Sequence, residues 1–314
     1  MLLGKSAGGL YWMFRYLERA EHMSRMVGAA WRLSLTRSSD MSSEWKSIIA
    51  SAGLTQDFEE RFQTYEFETV VNYILRMRDS DASIMCCITN ARNNARLVRT
   101  SLSTEVWEAV NDGYLRLKAE LSRPVTLKNL QRILTEIRQS ATLVRGAFFG
   151  SMLRNDIYDF ARIGTFVERA DNTARLLDVK YFVLLPSVSY VGSRLDNAQW
   201  EVILRSLSAY RAYGWVNEGN PTAAGIARFL ILDSRLPRSL KFCYKQMLSH
   251  LSLIEEQYEA HRESHGMAAR IYSDLKASDV EHIFEHGLHE FLTEFISDTA
   301  ALSRQIETDY RFGL

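Results

Sequence analysis

Residues 10–31 read LYWMFRYLERAEHMSRMVGAAW, and the pattern of this stretch recurs along the chain. A mostly apolar row repeats every seven residues, at Leu10, Leu17, Ser24 and Trp31. This spacing places the row on one side of an α-helix, so that side is expected to face a core. The stretch therefore predicts a long amphipathic helix.

A second stretch, residues 167–177, echoes the middle of this helix. It reads VERADNTARLL where residues 17–27 read LERAEHMSRMV, so four of the eleven positions are identical. The identical pairs are Glu18 and Glu168, Arg19 and Arg169, Ala20 and Ala170, and Arg25 and Arg175. We therefore predict an internal pseudo-repeat in which helix 10–31 is echoed by helix 157–185.

The remaining chain also favours helices. Further seven-residue rows lie in residues 126–150, 237–258 and 288–306, and the 4 prolines fall near the predicted helix boundaries. No convincing alternating segment, low-complexity tract or linker interrupts the pattern. The sequence therefore predicts an all-α protein, a multi-helix bundle of roughly ten helices. We expect a single all-helical domain spanning residues 1–314.

Composition limits the classes of partner. With 38 basic and 38 acidic residues, the chain has no overall charge that would attract nucleic acid or an anionic membrane. Its apolar runs, 10–14 and 181–185, fall far short of the ~20 residues of a membrane-spanning helix. We find no signal peptide and no glycine-rich phosphate loop. With only 3 cysteines, a reducing cytoplasm fits best, and we expect no bound cofactor.

Each of the two related helices carries charges with helical spacing. Glu21 lies four residues before Arg25, and Asp171 lies four before Arg175, which is the order that favours an ion pair along one helix. We expect each of these pairs to stabilise only its own helix.

The adjacent Glu-Arg pairs, Glu18 with Arg19 and Glu168 with Arg169, allow two interpretations. In the first, the two helices pack side by side and exchange carboxylate and guanidinium groups as a structural lock. In the second, the pairs converge on a cleft that binds a substrate or partner. The binding hypothesis adds four candidates to these residues: Arg25, Arg175 and, farther out, Arg96 and Arg238.

The two interpretations make opposite predictions for Glu168→Gln. A binding role predicts lost activity with nearly unchanged thermal stability. A noncatalytic adaptor with a structural lock predicts lost stability, because the substitution breaks a buried pair.

Six of the 7 histidines lie between His250 and His289, and two groups have helical spacing. One is His261 with His265, and the other is His282, His286 and His289. Such spacing can bind a metal, which would suit a metal-dependent helical enzyme. The apolar rows of the last helix, however, place the second group on the outward side, so we favour a solvated histidine face there.

Several motifs occur together in the order of a known family. They are the segments LYW at 10–12, YLERAE at 16–21, residues 90–99 with EVWEAVN at 105–111, Gly164 with residues 167–177, and FLILD at 229–233 with LPRS at 236–239. On these motifs the chain resembles the alpha-E family, bacterial proteins with a helical domain and a recurring Glu-Arg motif. The resemblance covers nearly the full length.

The resemblance implies partners rather than a reaction. Members of this family are associated with a circularly permuted ATP-grasp protein and with a transglutaminase-like protease. The association implies a role in forming or modifying peptide (amide) bonds, in which this chain binds the ligase or its substrate.

Overall fold

The computed structural model describes residues 2–34, 42–80, 83–182, 194–217 and 221–313. Within these ranges the chain forms helices and connecting turns, with no β-strand. The α-helices are α1 Gly4–Ser34, α2 Ser42–Ser51, α3 Thr55–Glu59, α4 Phe67–Arg76, α5 Ile84–Leu97, α6 Thr104–Glu120, α7 Leu130–Ser151, α8 Asp156–Phe182, α9 Arg194–Ser206, α10 Tyr210–Val216, α11 Ala223–Leu232, α12 Leu240–Tyr258, α13 Glu263–Ala277, α14 Val280–His286 and α15 Leu288–Asp309.

The all-α bundle is confirmed, but the predicted count of roughly ten helices was too low. The described ranges contain fifteen α-helices, partly because tight turns divide segments whose hydrophobic spacing continues. Ser208, with a φ of 55°, separates α9 from α10, and Gly287, with a φ of 103°, separates α14 from α15. A positive φ is incompatible with a continuing α-helix.

The two related stretches form the centre of the bundle. Helix α8 packs along α1 and also contacts α12 and α15, while α1 contacts α5, α7 and α9. Their apolar side chains belong to one core cluster. Both helices nevertheless bury charged residues, among them Glu18 and Glu168. None of the described helices combines the length and the apolar content that crossing a bilayer requires.

The bounds of these helices differ somewhat from the predicted 10–31 and 157–185. Helix α1 begins six residues earlier, at Gly4, and α8 begins at Asp156. Residues 183–185 lie outside the described ranges. The two helices pack directly against each other, and the internal duplication itself stays a prediction.

A glycine permits the close approach of α8 to α1. A Cβ atom placed on Gly164 would lie 2.2 Å from the carbonyl oxygen of Tyr11, well inside van der Waals contact. The carbonyl belongs to the backbone of α1, so relieving this contact would require the helices to separate. Tyr11 is itself fixed, because its hydroxyl shares a 2.8 Å hydrogen bond with Ser303 of α15.

We predict that Gly164→Ala lowers the free energy of unfolding by about 1–3 kcal/mol, the usual cost of overpacking. Urea denaturation measures this change. Gly146→Ala is the matched control, because no atom lies within 4 Å of the Cβ position at this exposed helical glycine. The control should raise stability by about 0.5–1 kcal/mol. Equal effects of the two substitutions would contradict a tight crossing at Gly164.

Candidate functional site

The crossing of α1 and α8 brings their Glu-Arg pairs together. Arg169 donates from Nε and Nη2 to the two carboxylate oxygens of Glu18, at 3.0 and 2.8 Å. Arg19 donates in the same manner to Glu168, at 2.5 and 2.9 Å. Each guanidinium thus forms two hydrogen bonds with the carboxylate of the opposite helix, the strongest geometry for this pair of groups.

Glu168 also binds a second arginine of α1. Arg15 donates from Nε to Glu168 at 2.9 Å and from Nη1 to Ser303 at 2.8 Å. Its guanidinium carbon lies 4.4 Å from the ring centre of Trp12. Arg15 was not among the residues predicted from the sequence, although it lies one helical turn before Arg19 and therefore on the same side of α1. That spacing was the available signal.

Glu18 binds a second arginine from the turn before α12. Arg238 donates from Nη1 to Glu18 at 2.6 Å, and its own carbonyl accepts a 2.9 Å hydrogen bond from the hydroxyl of Thr173. Arg169 donates to the neighbouring carbonyl of Pro237 at 3.2 Å. The turn before α12 is therefore held to both central helices.

The Glu21–Arg25 pair is local, as expected, but it is not confined to α1. Arg25 contacts Glu21 at 2.5 Å, and Arg145 of α7 forms an ion pair with the same carboxylate. Arg238 approaches Glu21 to 3.6 Å. The expectation that Glu21 stabilises only its own helix was therefore wrong, because packing brings α7 and the turn before α12 against this side of α1.

These contacts form one charged cluster, which we call the Glu-Arg centre. Its members are Arg15, Glu18, Arg19, Glu21, Arg25, Arg145, Glu168, Arg169 and Arg238. Six guanidinium groups face three carboxylates, so the centre carries a surplus of three positive charges. The surplus favours the binding of an anionic group where the centre is accessible.

Burial and ion pairing oppose each other at the two glutamates. Burial alone would raise the pKa of Glu18, but Arg169 and Arg238 outweigh it and hold the pKa well below its ordinary value. Burial likewise opposes ionisation of Glu168, yet Arg19 and Arg15 lower its pKa to about 2. Both carboxylates are therefore ionised at neutral pH and do not supply protons.

A cavity of about 220 Å³ borders the Glu-Arg centre. It lies between α1, α8 and the turn after α2. Gly53, with a φ of 71°, forms that turn. The cavity is lined by Arg19, His22, Met23, Met26, Ser51, Ala52, Gly53, Glu168, Asp171, Asn172 and Arg175. One carboxylate and one arginine of the centre are therefore accessible from this cavity.

Two residues of the cavity lining each carry a buried polar atom without a partner. Nδ1 of His22 and Nδ2 of Asn172 form no hydrogen bond with any described residue, and the two side chains are 3% and 7% exposed. Burial, reinforced by Arg238, lowers the pKa of His22 to about 4, so the imidazole is neutral at pH 7. An unsatisfied buried polar group costs about 1–3 kcal/mol, which a bound molecule could recover.

The remaining arginine candidates lie in different places. Arg175 forms the expected local pair with Asp171 at 2.8 Å and borders the cavity. Arg25 also donates to the hydroxyl of Ser208. Arg96 is exposed on α5, and within the described ranges no hydrogen bond or ion pair joins it to the Glu-Arg centre.

The three histidines considered for a metal do not converge. His282 and His286 are exposed neighbours on α14, with ring centres 3.8 Å apart, whereas His289 pairs with Asp178 at 2.5 Å. In the part of the chain that the structure describes, these three side chains do not form a set of ligand atoms within 4.8 Å of one another.

The structure combines features of both interpretations of the Glu-Arg pairs. The reciprocal hydrogen bonds are those of a lock, and the cavity beside them offers groups that could bind a ligand. The binding hypothesis expected Glu168→Gln to leave the thermal stability nearly unchanged. The structure instead predicts a lower stability, because Glu168 is 1% exposed and compensates two guanidinium groups. Binding is therefore better tested at the residues of the cavity lining whose polar atoms lack partners, such as Asn172.

We predict that Glu18→Gln and Glu168→Gln each lower the free energy of unfolding at pH 7 by about 3–5 kcal/mol, because a buried charge loses its partner. Glu201→Gln is the control. Its ion pair with Arg205 is exposed, at 39% and 46% for the two side chains, and should contribute less than about 1 kcal/mol. Urea denaturation measures all three variants. Losses no larger than that of the control would exclude a lock.

We also predict that acidification destabilises the protein in two steps. The unfolded chain protonates His22 near pH 6.5, whereas the folded chain does so near pH 4. Glu168 is protonated near pH 4.5 when unfolded and near pH 2 when folded. In both windows the unfolded state binds more protons, so stability falls with falling pH, by up to about 3 kcal/mol for His22.

Urea denaturation between pH 7 and pH 3 measures these steps. His22→Leu should reduce the slope between pH 6.5 and pH 4 to the part contributed by His265, whose pKa burial also lowers, and should retain the slope contributed by Glu168 below pH 4.5. A wild-type slope between pH 6.5 and pH 4 in His22→Leu would show that another group causes the first step.

Comparison with known protein families supports the family suggested by the motifs. The model of the alpha-E family, described as a predicted alpha-helical domain with a conserved ER motif, matches residues 2–310. In one-letter code ER is Glu-Arg, the dipeptide found at 18–19 and at 168–169. No curated protein and no solved structure matches the chain. Since the family model covers nearly all 314 residues, the chain belongs to the alpha-E family.

Proposed function

We propose that this chain is the helical binding component of an ATP-grasp-linked system that forms or modifies peptide bonds in the cytoplasm. Its partners would be a circularly permuted ATP-grasp protein and a transglutaminase-like protease. The chain would hold the substrate of the ligase in the cavity beside the Glu-Arg centre. The observation that carries the proposal is a cavity lined by two arginines and two carboxylates, beside buried polar atoms of His22 and Asn172 that lack partners among the described residues.

The polar groups of the cavity suit a ligand that has a carboxylate. Rotation of the Asn172 side chain would bring its buried, unpartnered Nδ2 to the cavity to donate to a carboxylate oxygen, and Arg19 and Arg175 offer guanidinium groups there. The neutral ring of His22 can donate or accept a hydrogen bond, depending on which nitrogen carries the proton. Asp171 can accept from an amine. An amino acid or the end of a short peptide carries both of these groups.

The size of the cavity fits a small ligand. At about 220 Å³ it exceeds the roughly 150 Å³ of an engineered protein cavity that binds benzene. Its lining is mixed, with Met23 and Met26 beside the charged groups. Because thioether side chains adapt their shape, these two residues could accommodate a variable side chain of the ligand.

The described residues in and beside the Glu-Arg centre suit binding better than covalent catalysis. Cys243 is buried near Arg169, and burial raises the pKa of its thiol to about 12, so the nucleophilic thiolate is scarce at neutral pH. Glu168 is ionised and holds two arginines. These states support assigning bond formation to the ATP-grasp partner.

Asn172→Ala tests this function. The substitution removes an amide nitrogen that has no partner among the described residues and breaks no ion pair among them, so the thermal midpoint without ligand should stay within a few degrees. A panel of amino acids and dipeptides is screened for compounds that raise the wild-type midpoint, since a ligand that binds the folded state stabilises it. With the ATP-grasp partner added, Asn172→Ala should reduce substrate-dependent ADP release at least about tenfold.

Asn93→Ala, an exposed asparagine on α5, is the matched control and should behave as the wild type in both assays. The proposal fails if Asn172→Ala keeps the ligand-induced shift and the full rate of ADP release. Binding of substrate without any effect of the ATP-grasp protein would support the cavity and contradict the proposed partner.

A noncatalytic adaptor is the second candidate function. The observation that favours it is the completeness of the ion pairing at Glu18 and Glu168, whose carboxylates are both saturated by arginines. Under this alternative, the chain binds its partners through its outer surface. Asn172→Ala would then leave both the partner complex and the ADP release unchanged.

A further inference from the structure

The turn between α12 and α13 gathers three metal-binding side chains away from the Glu-Arg centre. Glu255 lies in the last turn of α12, and the chain reverses at Glu259, which has a φ of 49°. His261 follows in the turn, and His265 lies in the first turn of α13. Nδ1 of His261 lies 2.7 Å from Oε1 of Glu255, and Nδ1 of His265 lies 3.0 Å from Oε2.

We propose that Glu255, His261 and His265 form a binding site for a borderline divalent cation such as Zn²⁺. One potential ligand atom from each side chain lies within 4.8 Å of the other two, and no second such group occurs in the described ranges. Two imidazole nitrogens and one carboxylate oxygen are a common ligand set for zinc, and oxygen-seeking cations such as Mg²⁺ bind it less well.

The present distances are close to those that a bound ion requires. Tetrahedral Zn²⁺ with ligands at about 2.0–2.1 Å separates neighbouring ligand atoms by about 3.3 Å. The two nitrogen–oxygen distances are 2.7 and 3.0 Å, which are hydrogen-bond lengths with a proton between the atoms. The three ligand atoms now lie within 4.8 Å of one another, so a metal ion would draw them together by at most about 1.5 Å. Glu255 and His261 can move in this way, because their side chains are 36% and 65% exposed.

His265 is the fixed member of the group. Its side chain is 3% exposed, and its Nε2 lies 2.7 Å from the hydroxyl of Tyr310. A metal-binding histidine commonly donates its other ring N–H to an oxygen, which sets the tautomer and the ring orientation. Burial raises the pKa of Tyr310, so this residue keeps a neutral hydroxyl that can donate to or accept from the imidazole.

The electrostatics of His265 also favour a metal. Burial lowers the pKa of its imidazole despite the neighbouring Glu255, so the ring is neutral at pH 7 and can act as a ligand. A bound ion would connect the end of α12 with the start of α13 and, through the hydrogen bond of His265 to Tyr310, with the end of α15. Metal binding should therefore stabilise this end of the bundle.

Zn²⁺ binding to untagged, metal-free protein tests the proposal, measured by competition with a chromophoric chelator and by elemental analysis after dialysis. We expect one ion per chain and a raised thermal midpoint. His261→Ala, at an exposed position, should fold normally and weaken binding at least a hundredfold. Tyr310→Phe should weaken it about 10- to 100-fold, because it removes the oxygen that orients His265.

The double variant His282→Ala/His286→Ala is the control, because it removes an exposed histidine pair on α14 and leaves the proposed ligands intact. It should bind Zn²⁺ as the wild type does. The proposal is overturned if no stoichiometric ion binds, if His261→Ala binds as tightly as the wild type, or if only the double variant loses the ion.

Discussion

The structure depends on the exchange of carboxylate and guanidinium groups between α1 and α8. Glu18 and Glu168 are 2% and 1% exposed, and a carboxylate at this depth is tolerated only when it is paired and hydrogen-bonded. Because each glutamate binds the arginine of the opposite helix, the two helices cannot slide past each other independently. A shift of one helical turn, about 5.4 Å, would leave buried charges without partners. The ion pairs thus fix the register that close packing at Gly164 allows.

Other helices of the bundle are attached to this pair through the same charges. Arg145 joins α7 to Glu21, Arg238 joins the turn before α12 to Glu18, and Arg15 reaches Ser303 on α15. A polar interaction that would be costly alone is therefore shared among several elements, and such networks favour one arrangement of the helices over others. The cavity at the side of this network is lined by two arginines, Arg19 and Arg175, and by two carboxylates, Glu168 and Asp171. A structural cluster and a proposed binding site for a ligand with both charges therefore occupy neighbouring parts of one crossing.

Each of the two proposed sites combines buried side chains held by their neighbours with side chains that are less constrained. At the Glu-Arg centre the charged groups are committed to one another, and binding is left to neighbouring groups such as Asn172 that have no partner among the described residues. At the turn after α12, one buried histidine is held by Tyr310 while two more exposed ligands can adjust to an ion. In both cases a rigid part positions the site and a less constrained part receives the ligand.

The sequence by itself determined the helical class, the family, the long helices at the centre and the local pairs such as Asp171 with Arg175. These features depend on the period of the α-helix, which relates residues three, four or seven positions apart. Only the tertiary structure decided that Arg145 reaches Glu21, that Arg238 reaches Glu18, and that a cavity borders Glu168. Those contacts join residues far apart in sequence, and they depend on how helices cross, which the spacing within one helix does not specify.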